Sequence, residues 1–482
     1  MKIAIQIAML GCAVAAAIPS TLAQAQTYSL DSCRNMALRA NKGLRAADEA
    51  VRGAEYTKKA AFAGYLPGID ATATYMYNQH KTSLLKENAK LPTMFFNPLT
   101  GKYQYDVLIG ADGKPVIDPA SGNPIPLTVA EIPKEALTFD TRNIFAGAIT
   151  LTQPVFMGGQ IKALNDIAHY TGEALKASRS NMEQEVIYSV DESYWLVVSL
   201  RAKQKLAQSF VNLVDSLRCN VQAMYDEGVA TKADLLTVDV RLNEAKMMLT
   251  KVDNGVSLSR MALAQACGMP IDSRMTLADE DEPGIGDDMP AYAYNMEDVY
   301  ARRKDLEAVR QGIKALQGQE KLTLGDMLPK LGIVGAYTFS SPNLIDGFST
   351  KVRGGFSIGA SLVVPIWHWG GNYNKYRAAK SATNAQRIVL EDLEEKVELQ
   401  VNQAKFKFAE AFKTYDTAKA NMASATENLR CAEDGFKEGV LTTNDVIAAQ
   451  TGWLQANSDI IDARIGIRLC STYLSKVLGT LK

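Results

Sequence analysis

Four short stretches of the chain alternate between a row rich in large apolar side chains and a row of mostly small or polar ones. From Ile69, the row Ile69, Ala71, Ala73, Tyr75 and Tyr77 faces away from Asp70, Thr72, Thr74, Met76 and Asn78. Near 145–151, Phe145, Ile149 and Leu151 oppose Ala146, Ala148, Thr150 and Thr152. From Leu331, the row Leu331, Ile333, Gly335, Tyr337 and Phe339 opposes Gly332, Val334, Ala336 and Thr338. The last row is Phe356, Ile358, Ala360, Leu362 and Val364, against Ser357, Gly359 and Ser361. A period of two marks a strand with two unlike faces. The pattern predicts strands over about 68–78, 143–153, 331–340 and 355–364. Each is roughly ten residues, the length at which a tilted strand crosses a bilayer, and lipid outside with water inside demands this pattern. A soluble sheet also alternates, so periodicity alone leaves both readings open. Four strands cannot close a barrel, and no edge stays open in lipid. If these strands span a membrane, several chains must share one wall.

A different period rules elsewhere. Val397, Val401, Ala404, Phe408, Ala411 and Tyr415 step by four and three, as do Val186, Val190, Ser193, Val197 and Leu200. Such a seam packs helices side by side. Residues 159–268 and 371–479 contain no proline. A single helix of that length would run about 150 Å, so each stretch must fold back. The strong turn signals are Glu227-Gly228 and Glu438-Gly439, near the middle of each stretch, followed by Thr231 and by Thr442-Thr443. Glycine suits a left-handed helix end, and threonine suits the start of the next helix. Two long helical hairpins are expected.

The halves repeat one another. Tyr225-Asp226-Glu227-Gly228-Val229, leading to Asp234-Leu235-Leu236, matches Phe436-Lys437-Glu438-Gly439-Val440, leading to Asp445-Val446-Ile447, at an offset that also relates Gly268 to Gly479. Leu66-Pro67 matches Leu328-Pro329. Pro154-Val155-Phe156 with Gly158-Gly159 matches Pro365-Ile366-Trp367 with Gly370-Gly371. Tyr28 onward resembles Tyr294 onward. Landmarks in one shared order indicate a duplicated unit. We therefore divide the chain into a first repeat at 26–280, a connector at 281–293 and a second repeat at 294–482. The first repeat carries an excess at about 81–141, rich in Pro, Gly, Asn and Asp, which reads as a long loop with room for a small hairpin.

The N-terminus reads as a targeting segment. Met1-Lys2 is positive, Ile3 to Ile18 is apolar except for Gln6, and Ala23-Gln24-Ala25 is a small-x-small site, so cleavage is expected after Ala25. A membrane anchor needs a longer apolar run. Lipidation at Cys12 is the lesser alternative. The remaining cysteines are Cys33, Cys219, Cys267, Cys431 and Cys470, whose wide spacing fits neither a disulfide framework nor a zinc site. They read as small apolar residues on helices.

With 52 basic and 53 acidic residues the chain offers no excess of positive charge for nucleic acid. The three histidines, His80, His169 and His368, lie far apart. No phosphate loop or HExxH motif is present, so neither catalysis nor a metal or cofactor is expected.

Taken together, the Gly-to-Asp turn motifs, the Leu-Pro before the first strand of each repeat and the Gly-Gly after the second make the chain resemble the TolC outer-membrane efflux family from Leu30 to Gly479. The resemblance implies a mainly helical protein with membrane β-structure, forming a trimer. Each protomer would give four strands to a twelve-stranded barrel in the outer-membrane lipid, and its helices to a twelve-helix periplasmic tunnel. The loop at 81–141 would face outside. Gly228, Val229, Gly439 and Val440 would form the tips where a periplasmic adaptor docks, linking the duct to an inner-membrane pump of the RND or ABC type. The resemblance implies a gate carboxylate at Asp445, whose family partner one turn on falls at Ala448 here. Asp234 is the first-repeat equivalent. It would lock to a tyrosine that is Phe436 in this chain, while the lock's arginine is Leu441. Pro154 and Pro365, with the glycines after them, suit the passage from barrel to tunnel. Phe156, Trp367 and Trp369 suit the membrane interface. A pore-less coiled-coil scaffold on the cell surface or in the periplasm is the alternative.

Overall fold

A computed structural model describes residues 27–271, 275–280, 294–343 and 350–481. The targeting segment expected at 1–25, its cleavage and lipidation alternatives, and the connector at 281–293 lie outside the described residues. In chain order come α1 (Leu30–Ala40), α2 (Lys42–Ala63), β1 (Gly68–Tyr77), β2 (Asn143–Met157), α3 (Gln160–Asp226) and α4 (Lys232–Ala266). Then follow α5 (Met296–Arg302), α6 (Lys304–Gly325), β3 (Lys330–Ser341), β4 (Arg353–Val363), α7 (Gly371–Lys437) and α8 (Thr443–Val477). The duplication is quantitative: α2 and α6 both have 22 residues, α3 and α7 both 67, α4 and α8 both 35.

The strands belong to one compact unit, Lys59–Asn165 with Gln319–Ala378. They form an antiparallel sheet in the order β4-β3-β2-β1. The register sets Tyr75 beside Phe145, Ile149 beside Tyr337 and Tyr337 beside Phe356. Leu151, Gly335 and Ile358 form the next row. All four apolar rows therefore share one face. That face is bare: Phe356 is 83% exposed and Ile358 75%. Gly147 and Gly354 lie under the rings of Phe339 and Tyr337, where a Cβ has no room, which accounts for glycine inside a strand. β1 and β4 are the sheet edges, each paired on one side only among the described residues.

β2 differs from expectation. It does not stop near residue 153 but runs through Pro154 to Met157. Leu331 pairs with Phe156 and Gly332 with Pro154, so Val155 is the extra residue of a bulge. A bulge is where a strand tolerates the amide that proline lacks. Pro154 therefore lies inside the strand and not at a bend beyond it. Pro365 follows the end of β4.

The stretch at 81–141 is a ladder and not an open loop with one small hairpin. Thr82–Ser83 pairs with Thr138–Phe139, Ala89–Pro92 with Val129–Ile132, and Met94–Asn97 with Lys102–Tyr105. Bridges Val107–Pro126, Ile109–Pro115 and Ile117–Pro124 lie between. Nesting satisfies backbone groups that a loop of this length would otherwise leave to water.

Most of the helical residues, Asp166–Gly318 and Ala379–Lys482 with the chain up to Lys58, form the second unit. Here the hairpin arms are unequal: the turn lies about two thirds of the way along each helical stretch, not near its middle. The longer arm has two successive partners. Along α3, Asp48 of α2 meets Arg179 (3.0 Å) and Ala54 lies against Gly172, while on the far half Asp253 and Asp239 of α4 meet Gln204 and Arg218 (both 2.6 Å). Along α7, Arg310 of α6 meets Glu394 (2.9 Å), and Ile460 of α8 packs with Tyr415.

The α7 seam buries Val397, Val401, Ala404, Phe408 and Tyr415. On α3 the buried stripe is wider, taking in Ile187, Tyr194 and Val198 beside Val190 and Val197, with Ser193 only half-buried. The reason is that α3 packs against α1, α4 and α8 in one cluster. At its centre Asp191 is fully buried and bidentate to Arg34 of α1, at 2.7 Å to Nε and 2.5 Å to Nη2.

Candidate functional site

The two hairpin turns are built alike. Gly228 (φ 74°) and Gly439 (φ 68°) adopt the left-handed conformation. The Gly228 amide donates to the Tyr225 carbonyl and the Val229 amide to that of Met224; Gly439 and Val440 donate to Phe436 and Gly435. This pair of hydrogen bonds closes a helix whose last carbonyls would otherwise be orphaned. It also turns Val229 and Val440 outward, 72% and 78% exposed.

The next helix starts with a reciprocal cap. The Asp234 amide donates to Thr231 Oγ1 (3.2 Å), while the Thr231 amide and hydroxyl donate to Asp234 Oδ2 (3.0 and 2.6 Å). Asp445 and Thr442 repeat this at 3.3, 2.8 and 2.7 Å. Both carboxyls are held below the ordinary aspartate range, first by the threonine hydroxyl and then by its amide. Asp445 is exposed and Asp234 half-buried. Each aspartate thus anchors its own helix. Thr442→Ala is expected to weaken the second turn by about 1 kcal/mol, read as faster amide exchange over 443–446.

The positions of the expected polar lock are apolar. Phe436 is buried with Phe210, Val214, Val221, Val446 and Ile447. The Leu441 amide donates to the Gly435 carbonyl, and its side chain covers Gly435, where an added Cβ would lie 2.8 Å from Leu441 Cδ1. The first turn solves the same packing in reverse, with Met224 and Ala230 at the equivalent positions. No single-residue signal shows this exchange of sizes; it emerges only when the repeats are compared pairwise. Gly435→Met is expected to cost about 1–3 kcal/mol by overpacking. Adding Leu441→Ala, which copies the first turn, is expected to restore most of it. Proteolysis rates at 436–442 read both.

Before each long helix the chain turns sharply. Gly158 and Gly159 have φ of 60° and 78°; in the second repeat the same turn is made by Trp369 (φ 50°) and Gly370 (φ 74°). The equivalences expected from sequence are therefore off by one. Gly158 corresponds to Trp369 and Gly159 to Gly370, while Gly371 is the first residue of α7. The two Gly-Gly pairs share letters but not backbone conformation. Only glycine fits at 158, because a Cβ would come within 2.6 Å of the Gly325 carbonyl oxygen. The Trp369 side chain is instead 88% exposed. A left-handed tryptophan costs about 1–2 kcal/mol. Its ring lies 5.9 Å from that of Trp367 in an edge-on pair, and Phe156 is also exposed.

Among the described residues no helix is long and apolar enough to cross a membrane, and no three His, Cys, Asp or Glu side chains gather as a metal site.

A bare apolar sheet face in one chain with two duplicated helical hairpins defines an outer-membrane protein of the TolC fold. The chain belongs to the outer membrane efflux protein family, whose profile matches residues 33–269 and 295–480. It is similar to the pyoverdine export outer membrane protein OpmQ of Pseudomonas aeruginosa, with 21% identity over 256 residues, covering 52% of this chain and 50% of that one. The match thus spans half the length of that relative. For OpmQ of Pseudomonas putida the identity is 19%, over 70% of this chain and 71% of that protein. The crystal structure of the Campylobacter jejuni CmeC outer membrane channel superposes with a TM-score of 0.71 at 14% identity, covering 94% of this chain and 86% of that one.

Proposed function

We propose that the chain is one protomer of a passive export duct. Three copies join their sheets, β1 of one against β4 of the next, into a twelve-stranded outer-membrane barrel, and their hairpins form a twelve-helix periplasmic tunnel. The observation that carries this reading is the pair of unpaired sheet edges beside a bare apolar face. Unpaired backbone groups in lipid cost several kcal/mol each, and pairing with neighbouring copies satisfies both edges. Family membership supports the same reading.

The turns at Gly228-Val229 and Gly439-Val440 present equivalent exposed valines to a periplasmic adaptor, which couples the duct to an inner-membrane pump of the RND or ABC type. Trp367, Trp369 and Phe156 sit at the membrane interface. Asp445, repeated threefold, rings the entrance with carboxylates, favouring cations; Asp234 marks the corresponding point of the first turn. Because the Thr442 contacts hold the Asp445 carboxyl below its ordinary value of 3.8, its capping contribution is complete above that value. It is lost as pH falls through the lower folded value.

The purified protein is expected to run as a heat-resistant trimer and to conduct ions in planar bilayers. Asp445→Ala should reduce cation preference and cation block at the entrance. Unchanged selectivity would remove Asp445 from the gate, and a freely soluble monomer would overturn the duct.

A further inference from the structure

Two cysteines that are remote in sequence meet in the helical unit. Cys33 lies near the start of α1, and Cys267 ends α4. They are 0% and 3% exposed and share one apolar cluster. The Cys267 thiol donates to the Cys33 carbonyl at 3.6 Å, and the two side chains lie within hydrogen-bonding reach of each other. The backbone is closely fitted here too. Gly268 (φ 71°) follows Cys267, and a Cβ on it would strike Ala40 of α1.

The duplication supplies an internal comparison. Because α4 and α8 match residue for residue, Leu478 stands at the Cys267 position of the second repeat. It is buried in one cluster with Val299 of α5, and Gly479 packs against Arg302, the last residue of α5, as Gly268 does against Ala40, the last of α1. An apolar pair therefore serves the packing. The first repeat instead sets a thiol on each side of this contact, Cys33 on α1 and Cys267 at the end of α4.

We propose that Cys33 and Cys267 are joined by a disulfide in the mature protein, stapling α1 to the end of α4. The inference rests on the outer-membrane placement of the family, since such bonds persist in oxidising compartments. It does not depend on the pore. The bond forms by exchange with a disulfide-bearing oxidant of that compartment. One thiolate attacks the oxidant's sulfur, and the other displaces the mixed disulfide. Each cysteine loses its proton, the oxidant accepts two electrons, and it departs as two thiols. The neighbouring Cys267 thiol and burial push the Cys33 pKa up, and both thiols are closed off from solvent in the folded chain. Exchange therefore precedes the closing of α1 onto α4, and reductants do not reach the bond until the protein unfolds.

The test is a peptide map of the chain from outer-membrane fractions, denatured in acid, alkylated and digested without reductant. The expected result is a Cys33–Cys267 cross-linked peptide, with Cys219, Cys431 and Cys470 alkylated. In denaturing gels the chain should run faster without reductant than with it. Cys33→Ala or Cys267→Ala should abolish that difference, and Cys219→Ser should keep it. The map needs no variant, so misfolding of one does not blunt it. Alkylation of both thiols in chain recovered from the outer membrane overturns the disulfide and leaves the duct reading standing. Recovery from the cytosol with free thiols overturns the placement and the disulfide together.

Discussion

Arg34→Ala is expected to destabilise the helical unit by about 3–5 kcal/mol, the cost of leaving a buried charge without its partner. Asp191 has no exposed side-chain surface, and both its oxygens are taken by one guanidinium. Removing the arginine strands a fully buried carboxylate without its ion-pair partner. Arg34→Lys should recover only part of the loss, since an ammonium cannot match the planar fork. Replacing both partners by apolar residues, Arg34→Met with Asp191→Leu, should come closest to the parent, because the desolvation cost disappears with the charges. Thermal unfolding followed by circular dichroism in detergent reads the series. An Arg34→Ala protein as stable as the parent would show that the pair is not the charge-compensating contact its burial indicates.

The second large effect concerns assembly. Thr72→Pro with Ala73→Pro in β1 is expected to abolish the trimer and its conductance while leaving the helical content of the chain unchanged. Successive residues of a strand direct their amides to opposite sides, so this pair removes one amide toward β2 and one toward the free edge. Within the sheet Thr72 pairs with Ala148 and Ala73 with Gly147. A gel of unheated protein gives the oligomeric state, and planar bilayers give the current. Heat-resistant trimers that still conduct would mean that β1 is not the seam between copies.

Much of this architecture was legible in the amino-acid order because its determinants are local. Alternation from Ile69 to Tyr77 follows from having two unlike faces, and Gly228 and Gly439 mark turns because few other residues accept φ near 70°. What stayed hidden depends on partners distant in the chain. The unequal hairpin arms follow from α2 and α6 occupying the rest of each long helix, which no turn signal announces. The ladder within 81–141 needs pairings such as Ala89 with Ile132, across a stretch whose prolines and glycines read simply as loop. The meeting of Cys33 with Cys267 is invisible for the same reason. At the turns, the absence of a hydroxyl at Phe436 and of a charge at Leu441 could be read directly. That apolar packing replaces them required the contacts. The misplaced Gly-Gly equivalence shows that identical letters need not mark identical backbone: Trp369 stands in for a glycine.

The long helix α3 has a mechanical consequence. It spans about 100 Å at the usual rise. Near its midpoint it is gripped by Arg34 on Asp191, beside the place where α1 and the end of α4 come together. A stiff rod clamped at its centre pivots more readily than it slides. Displacement at Val229 is therefore expected to appear as rotation about that clamp, with the part of α3 from Asp191 to Asp226 swinging as one body.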